Sequence, residues 1–304
     1  MSKKQLTKIA TENATFVASS GIPIPDTIKV NYDPTKYRKC PATDTIVFID
    51  VNKTDICARK WINMGKSTGV ALMNFASCHV PCGGYDKGSM AQEEDNSRVM
   101  PFFAASLKKQ GKEYPLNPST CSIFITPDVK IMRDNNDNYK FIDEKNMPTV
   151  TVVSAAGQDL REAKEFNYDQ AFNTLVNIYC SVKVLNPKID TLILGPWSCG
   201  VYRNPPSEMA KIMNDVNEKY GGLYKYIIYA IPKGPNLKEF KQIIKCLNCE
   251  QDDNEENIDT SESEVEEVAV LNIKNPMKDR QIGKDIKRNR KNNHREKYAF
   301  NDES

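Results

Sequence analysis

Gln92, Glu93 and Glu94 close a loop that carries Gly83, Gly84 and Gly88. Glycine lets backbone approach a ligand closely and adopts positive φ without strain. A helix opening directly after such a loop offers free N–H groups to an anion such as a diphosphate. Two carboxylates at the same helix start would oppose phosphate, so they must face another part of the ligand. A second loop, 194–206, reads LGPWSCGVYRNPP. Its small residues Gly195, Ser198, Cys199 and Gly200 let backbone N–H groups converge into an anion nest. It lacks the Lys-Ser/Thr ending of a P-loop, which argues against nucleoside triphosphatase chemistry. A long ligand, with its diphosphate on one loop and its sugar on the other, reconciles the two. Together the loops point to a nucleotide-like ligand.

The elements that must hold these loops are readable from apolar patterning. Short, nearly continuous apolar runs at 45–50, 69–76, 121–126, 149–156, 190–195 and 225–231 predict strands buried on both faces. Helical stretches are predicted at 4–19, 54–66, 90–108, 169–184, 206–220 and 236–247. Pro206 suits a first helical position, and Asn236 is expected to cap its helix. The alternation predicts a three-layer α/β/α domain. Ligands in open α/β sheets bind beyond the carboxyl ends of the strands, where both loops fall.

The chain has 304 residues and a net charge of +2, which gives no global drive toward nucleic acid or a membrane. No apolar run of about 18 residues exists, so no membrane span is expected. The first residues lack the apolar segment of a secretory signal, and the nine cysteines are an odd number. Reduced thiols and a cytoplasmic location are therefore expected, with a nuclear one as the alternative. Residues 1–249 are read as one catalytic domain and 250–304 as a charged, disordered tail. Residues 250–267 hold ten acids and no Lys or Arg, and 274–297 hold ten Lys/Arg against three acids. Such a composition buries too little apolar surface to fold. The basic half is suited to weak nucleic-acid contact, or to pairing with the acidic half.

The stretch VALMNFASCHVPCGGYDKGSMAQEE, residues 70–94, resembles the signature of macrodomain poly(ADP-ribose) glycohydrolases, a Gly-Gly-Gly run followed after six to eight residues by Gln-Glu-Glu. Seven residues separate Gly84 from Gln92 here. The small microbial branch is the nearest likeness. TVTVVSAAG at 149–157, LGPWSCGVYRNPP at 194–206 and LTKIATENATFVASSG at 6–21 resemble its central strand, second phosphate loop and N-terminal helix. The likeness spans about 4–245 and implies a macrodomain with a mixed central sheet and an N-terminal helical extension. Two places depart from it, one being the end of the central strand, Gly157-Gln158-Asp159, where the family more often has alanine, proline and asparagine. At the other, the first glycine of the triplet is Cys82, whose side chain a positive φ would strain.

The resemblance implies hydrolysis of ribose–ribose O-glycosidic bonds in poly(ADP-ribose), with the polymer or ADP-ribosylated proteins as partners and no cofactor or metal. Glu94 matches the catalytic acid, which protonates the leaving ribose oxygen and then, as carboxylate, activates water. Glu93 matches the glutamate that orients the sugar. Adjacent helical residues point about 100° apart, so the pair need not share one task. Asn74 and Tyr202 are expected on the distal ribose. Gly83, Gly84 and Gln92 are expected to shape the first loop, and the backbone of Ser198, Cys199, Gly200 and Val201 to hold the diphosphate.

Plainer readings stand beside these. A Gln-Glu-Glu triplet alone is usually a helix start that favours acids. Trp197 and Tyr202 are equally suited to loop packing. Cys246 and Cys249 have CxxC spacing without a second pair, and Cys78-His79 lacks a further ligand in the sequence, so neither is read as a metal site. Two other functions remain open: removal of single ADP-ribose units from proteins, and binding of ADP-ribose without turnover.

Overall fold

Residues 1–161 and 165–247 are described by the computed structural model. In chain order the elements are α1 (Lys3–Ser19), β1 (Ile28–Val30), β2 (Ile46–Asp50), α2 (Thr54–Asn63), β3 (Val70–Ala76), α3 (Gln92–Val99), α4 (Pro101–Lys108) and β4 (Ile123–Lys130). They continue with β5 (Arg133–Asp134), β6 (Lys140–Phe141), β7 (Thr149–Ala156), α5 (Tyr168–Leu185), β8 (Thr191–Leu194), α6 (Pro206–Tyr220), β9 (Tyr226–Ala230) and α7 (Pro235–Ile243).

Seven strands form one mixed sheet in the order β1-β4-β7-β3-β8-β9-β2. β7, β3, β8, β9 and β2 run parallel, while β4 is antiparallel to β7 and β1 to β4. The period-two alternation of a strand sends its side chains to opposite faces. Along β3, Ala71 and Met73 join a core with residues of α5, α6 and α7, and Val70 and Leu72 join one with residues of α1, α2 and α4. The expected three layers are thus present, with the N-terminal helix on one of them.

Several boundaries differ from the sequence reading. The helix expected at 90–108 is two helices, because Pro101 has no N–H to donate and Met100 sits outside helical space at φ −125°, ψ 75°. β4 starts at Ile123 and runs to Lys130, and α2 ends at Asn63. The three-residue β1 and the hairpin of β5 and β6 were not predicted. Asn236 does not cap α7; Gly234 does, with Pro235 at the first turn. Cys40, Cys57, Cys78, Cys82, Cys121, Cys180 and Cys199 are free, but Cys246 is disulfide-bonded, unlike the reduced thiol expected. The charged tail at 250–304 lies outside the described residues.

Candidate active site

The sheet opens where β3 and β8 part. Their register ends at Leu72 opposite Ile193, so β3 continues without β8 beside it. Gln92 fills that gap. Its Oε1 accepts the N–H of Phe75 at 2.8 Å, and its Nε2 donates to the Met73 carbonyl at 2.8 Å and Thr54 Oγ1 at 2.9 Å. One amide thereby satisfies strand groups that would otherwise be orphaned and fixes the start of α3 against β3. Gln92 lines the cleft, but its polar capacity is taken up by the fold.

The next two residues both line the cleft and both are buried, but their partners differ. Glu93 is 3% exposed. Its Oε2 accepts the N–H of Ser77 at 2.8 Å and its Oε1 accepts Asn74 Nδ2 at 3.2 Å. Both donors favour the carboxylate, but burial dominates and, with repulsion from Glu94, pushes its pKa up to about 8. Asn74 is fully buried, tied also to Ser154 Oγ at 3.2 Å and to Asn96 Nδ2 at 3.3 Å. It stands behind Glu93 and does not line the cleft. Glu94 lines the cleft, and its Oε1 accepts the N–H of Gly84 at 2.8 Å.

The glycine loop is shaped around these carboxylates. Gly83 has φ +53°, and a Cβ there would lie 2.6 Å from Glu94 Oε1 and 3.3 Å from Glu93 Oε2. Cys82 adopts φ +62° even though it has a side chain. It is 1% exposed, with its Sγ 3.6 Å from the Ala104 carbonyl. Packing against α4 offsets the local strain, and burial pushes the thiol well up, which leaves no reactive thiolate. From the other side α1 braces the loop. Asn13 Nδ2 donates to Tyr85 Oη at 3.0 Å and to the Arg98 carbonyl at 2.9 Å.

The second loop is anchored by Trp197, whose Nε1 donates to the Ala155 carbonyl at 3.0 Å from a fully packed position. Among the described residues, the N–H groups of Ser198, Gly200, Val201 and Tyr202 have no hydrogen-bond acceptor, whereas that of Cys199 donates to Pro196. Ser198, Gly200, Val201 and Tyr202 line the cleft; Cys199 turns its side chain into the core. Tyr202 links the two loops, since its Oη accepts the N–H of Cys78 at 2.9 Å.

The cleft these loops enclose has a volume of about 670 Å³. Sequence reasoning missed several of its walls. Asp55 and Asp95 lie on one side, where Lys53 Nζ meets Asp95 Oδ2 at 2.7 Å and the Tyr139 hydroxyl also bonds Asp95. Burial and the neighbouring Asp95 raise the pKa of Asp55 to about 6. Arg161 also lines the cleft, 5.4 Å from the Tyr202 ring centroid. These contacts join residues 40 or more positions apart, such as Tyr139 with Asp95, which no local motif encodes.

Residues 5–134 match the model of the microbial-type PARG catalytic domain, and no curated protein matches the chain. The fold is similar to that of poly(ADP-ribose) glycohydrolase (PARG) from Thermomonospora curvata, at 20% identity and TM-score 0.67, over 79% of this chain and 99% of that one. The T. curvata enzyme bound to the inhibitor ADP-HPD is similar at 20% identity and TM-score 0.65, over 78% and 98%. The Deinococcus radiodurans PARG in complex with ADP-ribose is similar at 20% identity and TM-score 0.61, over 77% and 97%. The matched segment holds the glycine loop with Gln92, Glu93 and Glu94 and is similar to the microbial-type PARG catalytic domain, and the shared fold extends past it.

Proposed function

We propose that this chain hydrolyses ribose–ribose O-glycosidic bonds of poly(ADP-ribose) and releases ADP-ribose, with Glu94 as general acid and base. The observation that carries the reading is the division of the pair. Both carboxyls line the cleft and both are buried, but Glu94 is held by a single backbone N–H, from Gly84, whereas Glu93 is tied by both Asn74 and Ser77. A carboxyl that gives and retakes a proton needs access to the leaving oxygen and to water. Glu93 fits the task of orienting the ribose hydroxyls. In the same cleft, the free N–H groups of Gly200, Val201 and Tyr202 suit a diphosphate. The exposed side chains of Val80, Met90 and Val201 add apolar walls for base and ribose.

Binding without turnover is less favoured, because Cys82 is accommodated in the positive-φ conformation and the loop still seats Glu94. Incubation with labelled polymer and with a mono-ADP-ribosylated protein tests the reading. ADP-ribose release from polymer alone is expected. Release only from the mono-modified protein, or binding without release, would replace it.

A further inference from the structure

Sequence alone gives Cys78-His79 no third ligand, but the fold supplies one. Asp159, in the loop after β7, brings a carboxylate oxygen to the loop after β3. The Cys78 Sγ, a His79 ring nitrogen and an Asp159 oxygen all lie within 4.8 Å of one another. We propose that these three side chains form a binding site for a zinc-class divalent cation on the rim of the cleft.

His79 Nε2 and Asp159 Oδ2 are 3.4 Å apart. Ligands at about 2.0–2.1 Å from a tetrahedral zinc are separated by about 3.3–3.4 Å, so this edge of the polyhedron already exists. Thiolate, imidazole and carboxylate are the donor types that zinc takes. One thiolate and one carboxylate neutralise the dication, and the thiol proton leaves to solvent.

The surrounding groups are those a metal site uses to orient its ligands. The Tyr202 hydroxyl lies 3.3 Å from Cys78 Sγ and donates to it. Arg161 Nε donates to Asp159 Oδ1 at 2.8 Å and can keep that bond while Oδ2 turns to a metal. Arg161 Nη2 now holds Asp159 Oδ2 at 2.5 Å and lies 3.4 Å from His79 Nε2, so binding must displace both contacts. The His79 side chain is 59% exposed, which gives a cation a path in. Occupation would tie the loop after β3 to the loop after β7 beside Tyr202, leaving a fourth position for water.

The proposal stands apart from the hydrolase reading, because its readout is binding. The full chain, freed of metal and then of reductant, is titrated with Co²⁺ and the thiolate-to-cobalt absorption is followed, with Zn²⁺ as competitor. The expected result is one equivalent bound with a charge-transfer band that Zn²⁺ abolishes. The band should vanish in Cys78→Ser, and affinity should fall at least tenfold in His79→Ala and Asp159→Asn. His79 is exposed, so its replacement leaves folding intact and keeps the test decisive if Cys78→Ser fails to fold. Absence of the band in wild type, or an unchanged band in Cys78→Ser or His79→Ala, overturns the site.

Discussion

Gly84 donates its backbone N–H to Glu94 Oε1 at 2.8 Å, while the adjacent Gly83 leaves only 2.6 Å between that same oxygen and the place a Cβ would occupy. The carboxylate is therefore seated by one glycine and given its room by the other. The loop and the Glu93–Glu94 pair form one mechanical unit.

Gly83→Ala tests that unit. Alanine at φ +53° costs about 1–2 kcal/mol. Its methyl also pushes on Glu94 and Glu93, and misplacement of this kind lowers kcat roughly a hundredfold. Steady-state kinetics beside a melting curve should show activity falling far more than stability.

Gln92→Ala removes the amide that serves Phe75, Met73 and Thr54. Leaving such groups unpaired is expected to cost about 2–4 kcal/mol. Urea denaturation measures it. A loss below that range would mean water replaces the side chain.

The pH dependence of stability should carry the mark of Glu93. Its folded pKa, about 8, lies above the ordinary value of 4.5, so the stabilisation is whole below about 4.5 and is lost as pH rises through 8. Asp55, raised to about 6, acts in the same direction. Unfolding free energies of wild type and Glu93→Gln, measured from pH 5 to 8, should differ in slope, with wild type falling by a few kcal/mol more across the window. Parallel curves would show that Glu93 stays charged in the fold.

Gly157→Ala acts on the other loop. A Cβ there would lie 1.7 Å from Ser198 Oγ, so Ser198 and the N–H groups after it must move. ADP-ribose affinity, followed by calorimetry, should weaken by roughly tenfold, or about 1.4 kcal/mol, with kcat reduced less.

Much of this was legible because its signals are local. The strand runs at 69–76, 149–156 and 190–195 are apolar enough to fix a sheet buried on both faces, and the glycine loop with Gln92, Glu93 and Glu94 lies within one segment. The break at Met100 was missed because apolar residues continue across it, although Pro101 lies there. Asn74 was expected on the ligand; its place behind Glu93 depends on Ser154 and Asn96, far off in sequence. Asp55, Asp95 and Arg161 carry no motif, and only the packing of α2, α3 and the loop after β7 brings them to the cleft.

Glu94→Gln on labelled polymer tests the central claim most directly. The substitution keeps the shape of the side chain and removes the proton it would transfer. ADP-ribose release should fall by roughly 10²–10⁴-fold while ADP-ribose binding persists. Release at the wild-type rate would contradict the role assigned to Glu94.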